Sequence, residues 1–322
     1  MEGKKKSKKG IVILVILIGL VLWVKFKPAP SADLPINKNY TPVTVQYLYN
    51  ALPNDTMRDL YKKIQTAAYD LPYEHNGNYI LGNIPIKGDM NETHFFLAYR
   101  AFTEEHPDVF WLEWGANSDY FVVYSRYSSD ELKTLKAELN TALEQFLNSV
   151  PAGLSEKELQ EYAHDYLIDN CEYDFDSLRE DGSSDPDYTN YYRIHQANGA
   201  LVDKKAVCSG YANAYQLMLN RLGVDCIPIF GQGSALDGDL KMRTGKVNHQ
   251  WNAVKSGSDW LMTDVTWDDI DDVTRRHYYF NIPIEKMYED HNTQAIDFST
   301  YKYIPIYGFV RHADSDCLFL PE

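Results

Sequence analysis

The chain has 322 residues, of which 44% are hydrophobic, 14% aromatic and 24% charged, enough to bury one large core or two medium ones. That apolar content excludes a wholly disordered or fibrous protein. Lys and Arg total 31 against 46 Asp and Glu, a net charge of −15, and because residues 1–27 hold seven Lys and one Glu, the remainder carries −21. A body this acidic repels phosphate backbones and anionic polymers, so no nucleic-acid partner is expected.

The first element is apolar. Lys4, Lys5, Lys6, Lys8 and Lys9 precede an unbroken run from Ile11 to Val24, closed by Lys25 and Lys27. Counted from Gly10 to Phe26 the run has 17 residues, the short end of the roughly 17 to 25 that span a bilayer as a helix. The flanking lysines snorkel to the interface, where Trp23 also belongs. The excess of Lys before the run predicts a cytoplasmic N-terminus, a single pass through the cell membrane and an extracytoplasmic body. Residues 1–27 are thus expected to be a basic tail and anchor. A cleaved signal peptide is the competing reading, with Ala29-Pro30-Ser31 a poor cleavage site lying beyond two charges. Residues 28–39, with Pro28, Pro30 and Pro35, read as a stiff linker.

Residues 40–150 read as an N-terminal α+β region. Met57, Leu60, Tyr61, Ile64 and Ala68 recur at helical spacing, while 79–86 and 120–127 read as strands. Ser128-x-x-Glu131 is a capping box before Leu132, Leu135, Leu139, Leu143, Phe146 and Leu147. His75, His94 and His106 lack metal-ligand spacing and read as surface or packing residues. A second capping box, Ser155-x-x-Glu158, follows Pro151-Ala152-Gly153 and opens a helix through Leu159, Tyr162, Tyr166 and Leu167, so a second domain is placed at 151–322. Asp174 to Asn190, rich in Asp, Ser, Gly and Pro, reads as a long surface loop.

Four cysteines occur, Cys171, Cys208, Cys226 and Cys317, too few for a disulfide-stapled exported domain; one bridge is allowed and at least one thiol is expected free. Cys208 stands out. Tyr211, Ala214, Tyr215, Met218, Leu219 and Leu222 mark a helix face ended by Gly223, which puts Cys208 at the helix start. There the unpaired N–H groups and the macrodipole favour a thiolate. An ordinary buried thiol is the alternative.

Downstream, 248–254 alternates as a strand and Trp260 to Asp264 forms another, with Ser256-Gly257 as a two-residue hairpin turn. Pairing Lys255 with Ser258 sets His249 directly opposite Asp264 on one sheet face. An imidazole oriented by a carboxylate is half of a nucleophile-activating triad. A chance cross-strand ion pair is the bland alternative.

At these residues the sequence resembles the transglutaminase-like superfamily, the papain-fold group of transglutaminases and related thiol peptidases, in its exported bacterial type. The matching blocks are Gly199-Ala200-Leu201, Ala206-Val207-Cys208-Ser209-Gly210-Tyr211-Ala212, Leu222-Gly223-Val224, His249-x-Trp251-Asn252 and Asp264-Val265-Thr266-Trp267-Asp268-Asp269, within roughly 155–292. His106-Pro107-Asp108-Val109-Phe110-Trp111 is similar to a segment ahead of the domain in such members. The resemblance implies an α+β papain-like core in which Cys208 is nucleophile, His249 base and Asp264 orienting acid. No cofactor is expected. Some members have lost Cys or His and bind rather than react; this chain keeps all three.

Trp251 and Trp267 are candidates to bind substrate, with walling the cleft or packing the core as the competing role. Asp268, Asp269, Asp271 and Asp272 lack the Gly-containing spacing of a calcium loop and read as a solvated loop, so no metal site is assigned. His277 and His291 follow the motif without an assigned role. One oxyanion donor is expected to be the Cys208 backbone N–H, and the second is not identified. The expected function is a membrane-anchored thiol enzyme acting on amide bonds of a peptide or protein, as an envelope peptidase or amidase. Protein cross-linking by transamidation, or a non-enzymatic peptide-binding adaptor, are the alternatives.

Overall fold

Helix formation begins where side chains satisfy free backbone donors. A computed structural model describes residues 38–175, 192–233, 249–270, 274 and 276–292. The expected anchor at 10–26 lies outside them, and among the described residues no helix is long and apolar enough to cross a membrane. After α1 (Tyr47–Ala51), helix α2 (Asp55–Ala68) starts where Asn54 accepts the Met57 N–H at 2.9 Å, and it buries Met57, Leu60, Tyr61, Ile64, Ala67 and Ala68. Strands β1 (Tyr73–His75) and β2 (Asn78–Pro85) turn through Asn76 and Gly77, both at positive φ. Helix α3 (Glu92–Glu105) is capped by Asn91, and β3 (Leu112–Ala116) and β4 (Tyr120–Ser125) complete an antiparallel sheet in the order β1-β2-β4-β3.

Both expected capping boxes form. Ser128 and Glu131 open α4 (Ser129–Ser149), and Ser155 and Glu158 open α5 (Glu156–Asn170), each pair bonding reciprocally. Beyond α5, β5 (Glu172–Tyr173) pairs in parallel with β6 (Lys205–Ala206), which runs directly into α6 (Cys208–Arg221). A second sheet follows in the order β10-β7-β8-β9, built from β7 (Cys226–Gly233), β8 (His249–Ser256), β9 (Asp259–Thr263) and β10 (His291–Asn292). One-turn helices α7 (Val265–Asp268) and α8 (Ile284–Met287) lie between its last two strands in sequence.

Strand β8 is buried on both faces from His249 to Val254. Trp251 and Ala253 enter a core with Val45, Ile227, Ile229, Met262, Tyr279 and Met287. Gln250 and Asn252 face α6 instead, where Asn252 donates to the Ala212 carbonyl at 3.0 Å and Gln250 to the Asn213 side chain at 3.2 Å. These bonds give the buried amide N–H groups partners that burial would otherwise leave costly, and they lock helix to sheet.

The described residues belong to one compact unit. The N-terminal region joins the Cys208 helix through buried polar bonds: Gln216 donates to the Glu104 carbonyl at 2.8 Å, and the Val43 N–H to the Asn220 carbonyl at 2.9 Å. The segment from His106 also serves packing. His106 Nε2 and Nδ1 each lie 3.2 Å from a tyrosine hydroxyl, Tyr61 and Tyr69, and Trp111 is buried, its indole N–H donating to the Ala68 carbonyl at 3.1 Å.

Candidate active site

Cys208 is the first residue of α6, and Val207 before it offers no side-chain cap. The N-cap residue itself therefore satisfies none of the helix's N-terminal donors, which are left for other groups at the thiol. Two close packings define this start. A Cβ on Gly210 would lie 2.3 Å from the Ile194 carbonyl oxygen, so only glycine lets the first turn reach the 192–198 segment. On that segment His195 Nδ1 sits 2.6 Å from Ser209 Oγ; burial lowers this histidine to about 4, so it is the neutral acceptor of the serine hydroxyl.

His249 begins β8, paired with Gly231 of β7. Its Nε2 lies 2.5 Å from Asp264 Oδ2, and the Cys208 thiol is within hydrogen-bonding reach of the same imidazole. With Nε2 taken by the carboxylate, Nδ1 is the nitrogen left for sulfur. The three residues thus meet, but by a route that differs from the hairpin expectation. The turn is Gly257-Ser258, closed by Ser256 and Asp259, with Gly257 at φ +63°. Lys255 therefore faces Trp260, and β9 ends with Thr263 opposite Asn252, so His249 has no β9 partner. Asp264 arrives instead as the N-cap of α7: its Oδ1 accepts the Trp267 N–H at 3.2 Å and its Oδ2 turns to His249.

Burial alone would lower His249. The Asp264 charge and hydrogen bond, with a smaller part from Cys208, outweigh it and lift the imidazole to about 10. Burial likewise works to raise Asp264, but the His249 and His291 contacts hold it well below the usual carboxylate range. The other described thiols are buried rather than poised. Cys171 is pushed up to about 12 by desolvation and Cys226 well above its ordinary value for the same reason. Cys171, Cys208 and Cys226 are all free, and Cys317 lies outside the described residues.

Trp251 is 1% exposed and has no surface for a substrate; it stacks behind His249 with ring centroids 5.8 Å apart. Its role is to back the imidazole, which corrects the substrate-binding expectation for this residue. Trp267 is partly buried, 5.3 Å from the His249 ring. A Cβ on Gly233 would come within 2.6 Å of Trp267 and 3.1 Å of His249, so the glycine is what admits both rings. The expected solvated acidic run also departs from the structure. Asp268 is fully buried, accepts the Tyr279 N–H and faces His164 Nε2 at 3.1 Å, while Asp269 accepts the Tyr211 hydroxyl at 2.5 Å. These acids anchor α7; Asp271 and Asp272 lie outside the described residues.

Sequence reasoning missed two neighbours. The Tyr173 hydroxyl accepts the Cys208 backbone N–H, and burial holds the phenol well above its ordinary value, hence neutral. Only the β5–β6 pairing brings it there, across a separation of more than thirty residues that carries no local periodicity. His291 Nε2 lies 2.9 Å from Asp264 Oδ2, the oxygen His249 also uses. Among the described residues, two groups have ligand atoms close enough for a metal, His249 with Asp264 and His291, and His164 with Asp165 and His277. In both, short histidine–carboxylate hydrogen bonds already satisfy the donors.

No curated protein sequence matches the chain. Among solved structures it is similar to a TGase at 13% identity and TM-score 0.34, covering 67% of this chain and 58% of that one. It is also similar to a candidate cysteine protease from Cytophaga hutchinsonii, at 12% identity and TM-score 0.26, covering 48% and 61%. A candidate protease from Parabacteroides distasonis aligns at 14% identity and TM-score 0.25, covering 48% and 33%. The chain spans less than two thirds of the length of each. Residues 146–265, which hold Cys208, His249 and Asp264, match the model of the transglutaminase-like superfamily and form a domain of that superfamily.

Proposed function

We propose that this chain is a membrane-anchored thiol enzyme that attacks amide bonds of a peptide or protein at the cell envelope through Cys208, His249 and Asp264. The observation that carries the reading is the meeting of a thiol at a helix N-terminus with an imidazole whose far nitrogen is held by a buried carboxylate. In this mechanism the Cys208 thiolate adds to the amide carbonyl. The oxygen that gains charge lies between the Cys208 N–H and the Tyr173 hydroxyl, which gives up its resting bond to that N–H and donates to the oxyanion. His249 transfers its Nδ1 proton to the leaving nitrogen, the C–N bond breaks and a thioester remains. Water then releases the acid, with His249 taking its proton, which makes the enzyme a peptidase or amidase. Asp264 keeps the His249 Nε2 proton in place throughout. The anchor and the extracytoplasmic placement of the body rest on the lysine asymmetry around Ile11 to Val24.

The test is mass-spectrometric trapping of an acyl adduct on the full-length chain exposed to envelope peptides, with and without an added primary amine. An adduct on Cys208 that decays to the free acid supports hydrolysis, and one that decays mainly to the amide with added amine supports transamidation. No adduct on Cys208, together with unchanged cellular function in Cys208→Ser, would leave a peptide-binding adaptor.

A further inference from the structure

Side chains alternate along an extended strand, and the pairing of β5 with β6 continues one residue past Tyr173, where the Asp174 N–H donates to the Ala206 carbonyl at 2.9 Å. Asp174 is buried, and its two neighbours lie together on the other side. Tyr173 is half-buried and reaches the Cys208 N–H. Phe175 packs on it with ring centroids 4.7 Å apart, and its own N–H donates to the Tyr173 carbonyl at 3.1 Å. Backbone and ring thus hold Phe175 in place, yet it is bare. At 77% exposure it is the most exposed large apolar residue among those described.

Scattered exposed apolar side chains are ordinary on a protein surface. Phe175 differs by its place. The Tyr173 hydroxyl sits beside the donor that an attacked carbonyl oxygen needs, and the Phe175 ring is one aromatic contact further out. That puts it within reach of the side chain on the residue that carries the carbonyl. The rings of the site also fall into two groups. Trp251, Trp267 and His291 surround His249, with centroids 5.8, 5.3 and 5.4 Å from it. Phe175 belongs to the other group, with Tyr173 and, 6.3 Å behind that ring, Tyr211. Because His249 must protonate the leaving nitrogen, the leaving half of the substrate lies toward the first group and the acyl half toward the second.

We propose that Phe175 is a specificity residue: with the Tyr173 ring it walls an acyl-side subsite for a large apolar side chain, so the substrate carries a residue such as Leu or Phe at the attacked carbonyl. The inference rests on the reading of Cys208 as nucleophile and of Tyr173 as a neighbour of the oxyanion. A Leu or Phe side chain laid on the Phe175 ring takes apolar surface of both partners out of water, whereas Gly covers almost none. The same ring, left bare, gains nothing for the fold.

The experiment is covalent labelling of the full-length chain in detergent micelles by peptidyl vinyl sulfones that differ only in the residue joined to the electrophile: Gly, Ala, Leu or Phe. Iodoacetamide serves as the reagent without a side chain, and Cys208 is followed by peptide mass spectrometry. In the wild type the Leu and Phe probes are expected to label Cys208 at least about tenfold faster than the Gly probe. In Phe175→Ala that ratio is expected to fall to within about threefold, while the iodoacetamide rate stays within about twofold of wild type. Phe175→Leu keeps an apolar wall and most of the preference. Leu71→Ala, which removes an exposed leucine from the N-terminal region, leaves the ratio in place. Phe175 is exposed, so its replacement empties no core and the variants are expected to fold. Equal rates for all four probes in the wild type overturn the proposal, and so does a preference retained in Phe175→Ala. Those failures are distinct from a failure of the nucleophile, which would show as a Cys208 that iodoacetamide does not label and would overturn both readings.

Discussion

The Tyr173 hydroxyl accepts the backbone N–H of Cys208, so the phenol of one segment rests on the donor that an attacked carbonyl needs. Tyr173 is held there by the parallel pairing with Ala206 and by ring contacts with Phe175 at 4.7 Å and Tyr211 at 6.3 Å. In Tyr173→Phe the packing survives and one oxyanion donor goes. Acyl-enzyme formation is expected to fall by about 10²- to 10³-fold. Alkylation of Cys208 by iodoacetamide forms no oxyanion and is expected to stay within about twofold, because the thiolate is intact. Equal losses in both reactions would show that Tyr173 only supports the fold of the site.

The described thiols differ in their surroundings, and the consequence is measurable. Desolvation keeps Cys171 and Cys226 protonated, whereas Cys208 has a helix N-terminus and His249 beside it. Competitive labelling near pH 6, read by peptide mass spectrometry, is expected to modify Cys208 before either of them. Prior labelling of Cys171, or a disulfide involving Cys208, would contradict the assignment of the nucleophile.

Gly233 is a packing requirement of the site rather than of the sheet. Its added Cβ would fall 2.6 Å from Trp267 Cζ2, well inside contact distance. Gly233→Ala is expected to displace Trp267 and the His249 ring, cutting Cys208 alkylation at pH 6 by more than tenfold while thermal stability falls by only about 1–3 kcal/mol. An alkylation rate equal to wild type would show that the rings have room to give.

Much of this architecture is legible along the chain. Asn54, Ser128 and Ser155 begin helices because their side chains satisfy backbone donors within three residues, and the apolar spacing behind them names the buried faces. Cys208 at the start of α6 is legible for the same local reason. What local pattern does not encode is contact between distant segments. The hairpin turn lies one residue later than the alternation implies, because Gly257 takes the positive φ at the first turn position, and β9 then stops before reaching His249. Asp264 reaches its partner through helix capping, a geometry that strand pairing does not anticipate. Tyr173 and His291 come from segments separated by long connections, and only the assembled fold shows that each faces the site.

Glu105 gives the N-terminal region a pH dependence of predictable sign. It is 5% exposed, accepts from the Tyr61 hydroxyl at 2.7 Å and the Leu48 N–H at 2.7 Å, and is pushed up to about 8 because desolvation outweighs those bonds. The folded state then holds a proton that the unfolded chain has already lost above about 4.5. Stability from this group is therefore present below that pH and declines as pH rises toward 8. Thermal unfolding midpoints are expected to fall between pH 5 and 8, and Glu105→Gln is expected to flatten the trend. A wild-type slope retained in the variant would assign the dependence to other groups.

Asp264→Asn tests the site at its centre. The carboxylate accepts three donors: His249 and His291 at Oδ2, and the Trp267 N–H at Oδ1. An asparagine has one oxygen and one amide nitrogen, so it cannot accept on both sides. Asparagine is a good N-cap, and capping α7 turns its oxygen to Trp267 and its NH₂ toward the two histidines. His249 Nε2 must then accept, which moves its single proton to Nδ1, the nitrogen that faces Cys208. In that tautomer the imidazole cannot take the thiol proton, and the thiolate–imidazolium pair is lost. The fold is expected to survive, with Cys208 alkylation at pH 6 falling steeply and acyl-enzyme formation dropping by about 10³- to 10⁴-fold. Because the defect is a wrong tautomer and not a missing group, alkylation is expected to recover above the ordinary thiol range, near pH 9 or higher, where hydroxide removes the proton without His249. A variant that alkylates normally at pH 6 would mean that Asp264 orients the turn and not the imidazole.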